Sequence, residues 1–287
     1  MSVPPSPAPN TRPLNRPDAP TAHPGPDRPA APPRPHPRLP HDAAPNAQPP
    51  AHPRHPAGRV RNRSASIPFS CALDARLALA SPILHRASAQ LWRAEGDLTV
   101  RYTGYLWAMH ALTVASVPLL ERAASACARL DEDWAPRLAA YFAGHAEEER
   151  GHDAWLLADL AAAGERAREQ PLPPPLVVEL AGAQYYRIEH RHPAALLGYL
   201  AVLEGHAPSP ALAGVLAART GLPEAAFRTV REHADLDAGH LAEVRRQLDR
   251  LPLTGPQQTE VAVSALHSAG ILARLFHQLA ADPGEQP

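Results

Sequence analysis

From about Ser66 onward, apolar residues recur at three- and four-residue spacing, Ala and Leu dominate, and no alternating Val/Ile/Thr-rich run bounded by turn residues appears. This pattern predicts an all-α domain with helices near 72–93, 97–129, 135–163, 174–189, 194–206, 209–219, 223–250 and 255–281. Local chemistry punctuates it. Asp133 with Pro136 marks a helix start and Gly164 its stop, and Pro193, Pro223 and Pro256 take first-turn positions where a missing N–H costs nothing. Thr254 and Gln257 have capping-box spacing. Seven or eight helices over roughly 215 residues make one bundle-like domain, assigned to 66–287.

Residues 1–65 follow a different rule. Of the chain's 36 prolines, 20 fall between Pro4 and Pro56, with nine arginines between Arg12 and Arg63 and few apolar residues. Such a segment cannot offset the entropy of ordering itself and is expected to be disordered. Its histidines, His23, His36, His41, His52 and His55, lack the fixed geometry a metal site needs. No apolar h-region follows the start, and no uncharged apolar run elsewhere is long enough to span a bilayer. The expectation is a cytoplasmic protein without membrane partners.

Absences narrow the chemistry. The chain has no lysine, so Walker A phosphate binding, a PLP Schiff base and lipoyl or biotin attachment are excluded. No G-x-G-x-x-G follows a strand-like run, which argues against a Rossmann cofactor site. Cys71 and Cys127 form no C-x-x-C, which removes iron–sulfur clusters and Cys-rich zinc sites. No basic stripe is interleaved with aromatics, so nucleic acid is not an expected partner.

Three helical segments carry metal-type side chains. In 135–163, His145, Glu148, Glu149 and His152 fall within a sector of about 100° on one face. Glu149 and His152 form the E-x-x-H pair used by carboxylate-bridged di-metal sites in helical bundles. A run such as Glu147-Glu148-Glu149 ordinarily faces water, but Leu156, Leu157 and Leu160 continue the same stripe, which turns these polar residues toward the core. In 194–206, Glu204 is the only acid of an otherwise apolar helix, and buried carboxylates are rare unless paired or metal-bound. Its neighbour His206 reads as a loop or cap residue.

The third segment, 223–250, contains His233, Asp237 and His240 at positions i, i+4 and i+7, about 0°, 40° and −20° around the helix. Imidazole with carboxylate and no thiolate suits iron, manganese or zinc, with preference for the harder redox-active metals. His233 and His240 are separated by about 10.5 Å of helical rise. Shared on one ion they would require the segment to bend or unwind, which Gly239 would ease.

The Glu149/His152 segment with its Gly-His-Asp, the Leu-Gly-Tyr-Leu-Ala-Val-Leu-Glu-Gly run ending at Glu204-Gly205, and His233-x-x-x-Asp237-x-x-His240 together resemble the heme-oxygenase-like di-iron oxidases and oxygenases, the iron-containing redox enzyme family. The similarity extends over most of residues 68–280. The resemblance implies a heme-oxygenase-like bundle of about seven helices, two Fe(II) ions, and O2 as co-substrate. It also implies oxidation of an amino-acid-like or fatty-acid-like small molecule by N-oxygenation, desaturation or oxidative C–C cleavage. Carried over residue by residue, the ligands are His152, Glu204, His233, Asp237 and His240. The first-helix carboxylate is Glu149, with Glu148 and His145 as alternatives. On this reading Glu149 and Glu204 bridge, His152 anchors one iron, and His233, Asp237 and His240 the other. The electron donor is not named by the sequence, and a homodimer is compatible with it.

Two competing classes are a haem-degrading oxygenase with His85 or His110 as axial ligand, and a metal-free thiaminase-like or quinone-cofactor-forming member of the fold. The first leaves Glu204 and Asp237 without a role, and the second leaves the whole ligand set without one. Tyr102, Tyr105, Trp107, Tyr185 and Tyr186 could line a pocket, although aromatics at helical spacing are more often core.

Overall fold

The computed structural model describes residues 67–165 and 172–281, so the segment 1–65, expected to be disordered, lies outside the described residues. Among the described residues the architecture is all-α, with nine helices and no strand. In chain order these are α1 (Phe69–Arg93), α2 (Leu98–Cys127), α3 (Ala135–Glu149), α4 (His152–Ala162), α5 (Pro175–His190), α6 (Leu196–Leu203), α7 (Leu212–Thr220), α8 (Arg228–Arg250) and α9 (Gly255–Ala280). Short 3-10 turns at Pro193–Ala195, Glu204–His206 and Glu224–Phe227 flank α6 and lead into α8.

The boundaries follow local chemistry in most places. Asp97 caps α2 by accepting the Thr99 N–H at 2.7 Å. Thr254 and Gln257 form the expected reciprocal capping box at α9, with Pro256 in its first turn. Asp133 does not cap α3: the helix starts at Ala135 after Trp134, with Pro136 supplying the pre-set φ.

One expected helix is two. The segment 135–163 breaks at Arg150-Gly151, where Gly151 takes φ 88°, a left-handed conformation open to glycine at little cost. Apolar periodicity runs through this break, so a stripe alone could not reveal it. The pair Glu149 and His152 therefore straddles a joint, with Glu149 ending α3 and His152 opening α4.

Two apolar cores result. The larger joins α1, α2, α3, α5, α6, the C-terminal half of α8 and α9 around Leu91, Leu119, Phe142, Leu180, Tyr199, Val244 and Val261. Within it α6 is pressed onto α9 so closely that a Cβ on Gly198 would collide with the Val261 carbonyl and stand 2.9 Å from Ala265 N. The smaller core joins α2, α4, α7 and the start of α8 through Tyr102, Leu106, Leu156, Leu160, Leu216 and Phe227. Residues of α2 and α8 contribute to both.

Candidate metal centre

The C-terminal end of α3, the joint into α4, the turn after α6 and the middle of α8 bring six metal-type side chains together. In one group the donor atoms of His145, Glu149, Glu204 and His240 all lie within 4.8 Å of one another. In the second, those of Glu149, His152 and His233 do the same. Glu149 belongs to both.

The rings are oriented. His145 Nε2 stands 3.5 Å from Glu204 Oε1, and His240 Nδ1 stands 3.3 Å from Glu204 Oε2 and 3.8 Å from Glu149 Oε1. His152 Nδ1 lies 3.2 Å from Glu149 Oε2. The His233 Nδ1–H donates to the Thr229 carbonyl at 3.0 Å, which leaves Nε2 as its free lone pair. Thr229 is itself anchored, its N–H donating to Asp159 Oδ2 at 2.8 Å. Buried Asp159 on α4 thus fixes the start of α8. Trp155 packs against the His152 ring, tilted 31° with centroids 4.1 Å apart, and the Arg228 guanidinium covers the Trp155 face at 4.5 Å.

Electrostatics agree with a site built for a cation. Burial raises the Glu149 carboxyl, but the hydrogen-bonding His152 ring and the charges of His152 and His145 bring it below the ordinary value. Glu204 behaves alike: burial raises it, and His145 and His240 lower it further than that. The Glu204 contact lifts His240 against its own burial, whereas burial lowers His233. Asp237 is pushed up to about 8, by burial first and then by the negative charge of Glu204.

Two observations test whether this donor set fits a metal. His145 Nε2 and His240 Nδ1 are buried and make no hydrogen bond among the described residues, and both face Glu204. Leaving such nitrogens unpaired costs free energy that a shared cation would remove. The set is imidazole and carboxylate without thiolate, which suits iron. The residues fit.

Against the sequence expectations, Glu149, His152, Glu204, His233 and His240 come together. His145 does so as well, alongside Glu149 rather than instead of it. Glu148 stays outside both groups, its side chain 63% exposed. Asp237 is buried and lines the same cavity but joins neither group. The division of α8 also changes. His233 groups with His152, while His240 groups with His145 and Glu204. Arg228–Arg250 is one continuous helix through both residues, not locally unwound between them. Glu204 sits in the 3-10 turn after α6, not in the helix body, with its side chain 10% exposed.

A cavity of about 140 Å³ opens onto these residues. His206, read as a cap, lines it, and so does Tyr105. Tyr102 is core, its hydroxyl donating to the Ala226 carbonyl at 2.7 Å, while Tyr186 is exposed. Asp159 and Thr229 went unread because their role is a contact between distant segments.

An all-α bundle that gathers carboxylates and imidazoles from four places in its chain into two compact groups defines a helical protein with a candidate metal centre. The family described as iron-containing redox enzyme matches residues 109–273, and the chain belongs to it. The fold is heme oxygenase-like. It is shared with a domain of unknown function from Shewanella denitrificans, at TM-score 0.56 and 20% identity, covering 74% of this chain and 88% of that one. A TenA homolog from Pseudomonas syringae pv. tomato aligns at TM-score 0.57 and 13% identity, covering 75% of this chain and 94% of that one. No curated protein matches the sequence significantly.

Proposed function

We propose that this protein is a non-haem di-iron oxidoreductase that uses O2 to oxidise a small, largely apolar molecule. The observation that carries the reading is that Glu149 belongs to two compact donor groups at once, the position a bridging carboxylate must occupy. His145, Glu204 and His240 would hold one ion and His152 with His233 the other. Bound Fe(II) would supply the electrons and open coordination positions for reducing O2.

The chain's own residues prepare that chemistry. Glu204 and Glu149 are held ionised by the imidazoles beside them, so donors are charged before a cation arrives. Asp237, near 8, keeps its proton at neutral pH without a cation beside it and would ionise where a cation neutralises Glu204. Asp159 and Thr229 hold His233 in the tautomer that directs Nε2 inward.

The cavity favours one of the two substrate classes that the resemblance suggests. Leu106, Met109, Leu112, Leu203, Leu272 and Phe276 line it, with Thr113, Ser116, Thr229 and His206 as the polar contacts beside the acids and imidazoles of the site. Among the described residues no arginine lines it, although all 28 basic residues of the chain are arginine. A free amino acid would bury an ammonium and a carboxylate without a guanidinium to receive the latter. A fatty-acid-like chain brings the same single carboxylate, which a cation held by these residues would receive, but it has no ammonium to desolvate and otherwise buries hydrocarbon.

The test is anaerobic Fe(II) loading, iron analysis, and rapid mixing with O2 in the presence of medium-chain fatty acids or amino acids. Two irons per chain, no Soret band, and an absorbance transient accelerated by fatty acids alone are expected. A Soret band, or full activity of metal-free protein, overturns the di-iron reading. Acceleration by amino acids overturns the substrate class alone.

A further inference from the structure

Three acids in a row end α3, and the structure gives each a different environment. Glu149 turns inward to both donor groups. Glu147 pairs with Arg150 at 3.0 Å, and Arg150 in turn pairs with Glu121 at 2.6 Å, which ties that acid to the surface. Glu148 lies between them. Its Oε2 is 3.5 Å from His145 Nδ1 and also 3.5 Å from His240 Nε2.

The opposite nitrogens of these rings, His145 Nε2 and His240 Nδ1, are the two buried, unpartnered atoms that face Glu204. The rings stand edge to face, 82° apart, with centroids 4.6 Å from one another. Two imidazoles from different helices are thus held between one inner carboxylate and one outer carboxylate.

We propose that Glu148 is a positioning residue that accepts N–H from both rings and so directs His145 Nε2 and His240 Nδ1 at the metal. This rests on the ligand assignment above and replaces the alternative in which Glu148 is itself a ligand. The physical reason is the one that governs ligating histidines generally: a carboxylate on the far N–H fixes the tautomer, holds the ring plane and makes the near nitrogen more basic. A carboxylate oxygen has lone pairs for two donors, so one residue serves two ligands. Because the side chain is largely exposed, its loss should leave the helix and core intact.

The experiment titrates chelated, metal-free protein with Zn(II) by calorimetry in wild type, Glu148→Ala, Glu148→Gln and Glu204→Ala. It then follows ring N–H signals of 15N-histidine-labelled, Zn(II)-loaded protein. In Glu148→Ala, one of the two sites should weaken by about 10- to 100-fold, with two ions still bound at saturation and the other site unaltered. Glu148→Gln, which keeps an acceptor oxygen but loses the charge, should fall between it and wild type. Wild type should show His145 protonated at Nδ1 and His240 at Nε2, and both protons should exchange faster with water in Glu148→Ala. Loss of one equivalent of metal in Glu148→Ala, as expected for Glu204→Ala, would make Glu148 a ligand and overturn the proposal. Unchanged affinity with unchanged proton exchange would reduce it to a solvated surface acid. If wild type holds a single ion, the di-metal reading fails, and Glu148 is then judged on whether Glu148→Ala weakens that ion.

Discussion

Asp237 shows what a carboxyl buried beside the donor groups costs without a cation. Its carboxyl is buried beside Glu204 and titrates near 8, against an ordinary value of 3.8. A folded-state pKa above the unfolded one means the native protein binds more protons over that interval, so this residue's contribution to stability falls as pH rises from about 4 to about 8. Asp237→Asn removes the penalty. In chelated protein the variant should be more stable than wild type by at least about 1 kcal/mol at pH 8, with the advantage shrinking toward pH 4. The same change should weaken metal binding. Thermal unfolding with chelator across that range checks it, and a stability difference independent of pH would contradict the assignment. At this scale the sequence was informative about identity and less so about partnership. His233, Asp237 and His240 could be placed on one face from spacing alone. Which ring meets which carboxylate depends on α3, α4 and α8 meeting in space, and that is why spacing alone leaves Glu148 and His145 open as alternatives to the preferred Glu149.

The joint between α3 and α4 is the element-scale counterpart. The Glu149-to-His152 spacing reads as one helical turn, but the chain reaches the same proximity through a left-handed Gly151. An alanine there would meet no neighbour yet would have to hold φ 88°. That should cost roughly 1–2 kcal/mol. Gly164, at φ 89° after α4, is the internal control, since its added Cβ also meets open space and it lies outside both donor groups. Both Gly→Ala variants should lose similar stability, and only Gly151→Ala should also weaken the ion held by Glu149, His152 and His233. Equal metal affinity in the two variants would show that the joint serves the fold alone. Helix existence was legible throughout because apolar periodicity is a property of each segment. This break was not, because a stripe continues across a joint when both helices face the same core, and the arginine-glycine pair is too common to mark one.

At the scale of the whole molecule the donor groups lie where the two apolar cores meet. Glu204 follows α6 of the larger core, whereas His152 and His233 sit on α4 and α8, whose nearby apolar residues Leu156, Leu160 and Val230 belong to the smaller one. α1, α5 and α9 contribute no donor atom to either group. A cation held between these places would therefore fasten the small core to the large one, and its binding free energy adds to the stability of that junction in proportion to its affinity. Local opening free energies differ between such units, and the unit with fewer buried apolar contacts opens first. Removing metal should accordingly speed hydrogen exchange in α4 and the first half of α8, with a smaller change in α3, while α1, α5 and α9 keep their protection. Exchange measured with and without one chelation step, at one pH, makes the comparison. A uniform change over all nine helices would mean that metal stabilises a single cooperative unit, and no change at all would mean that the two cores hold together without it.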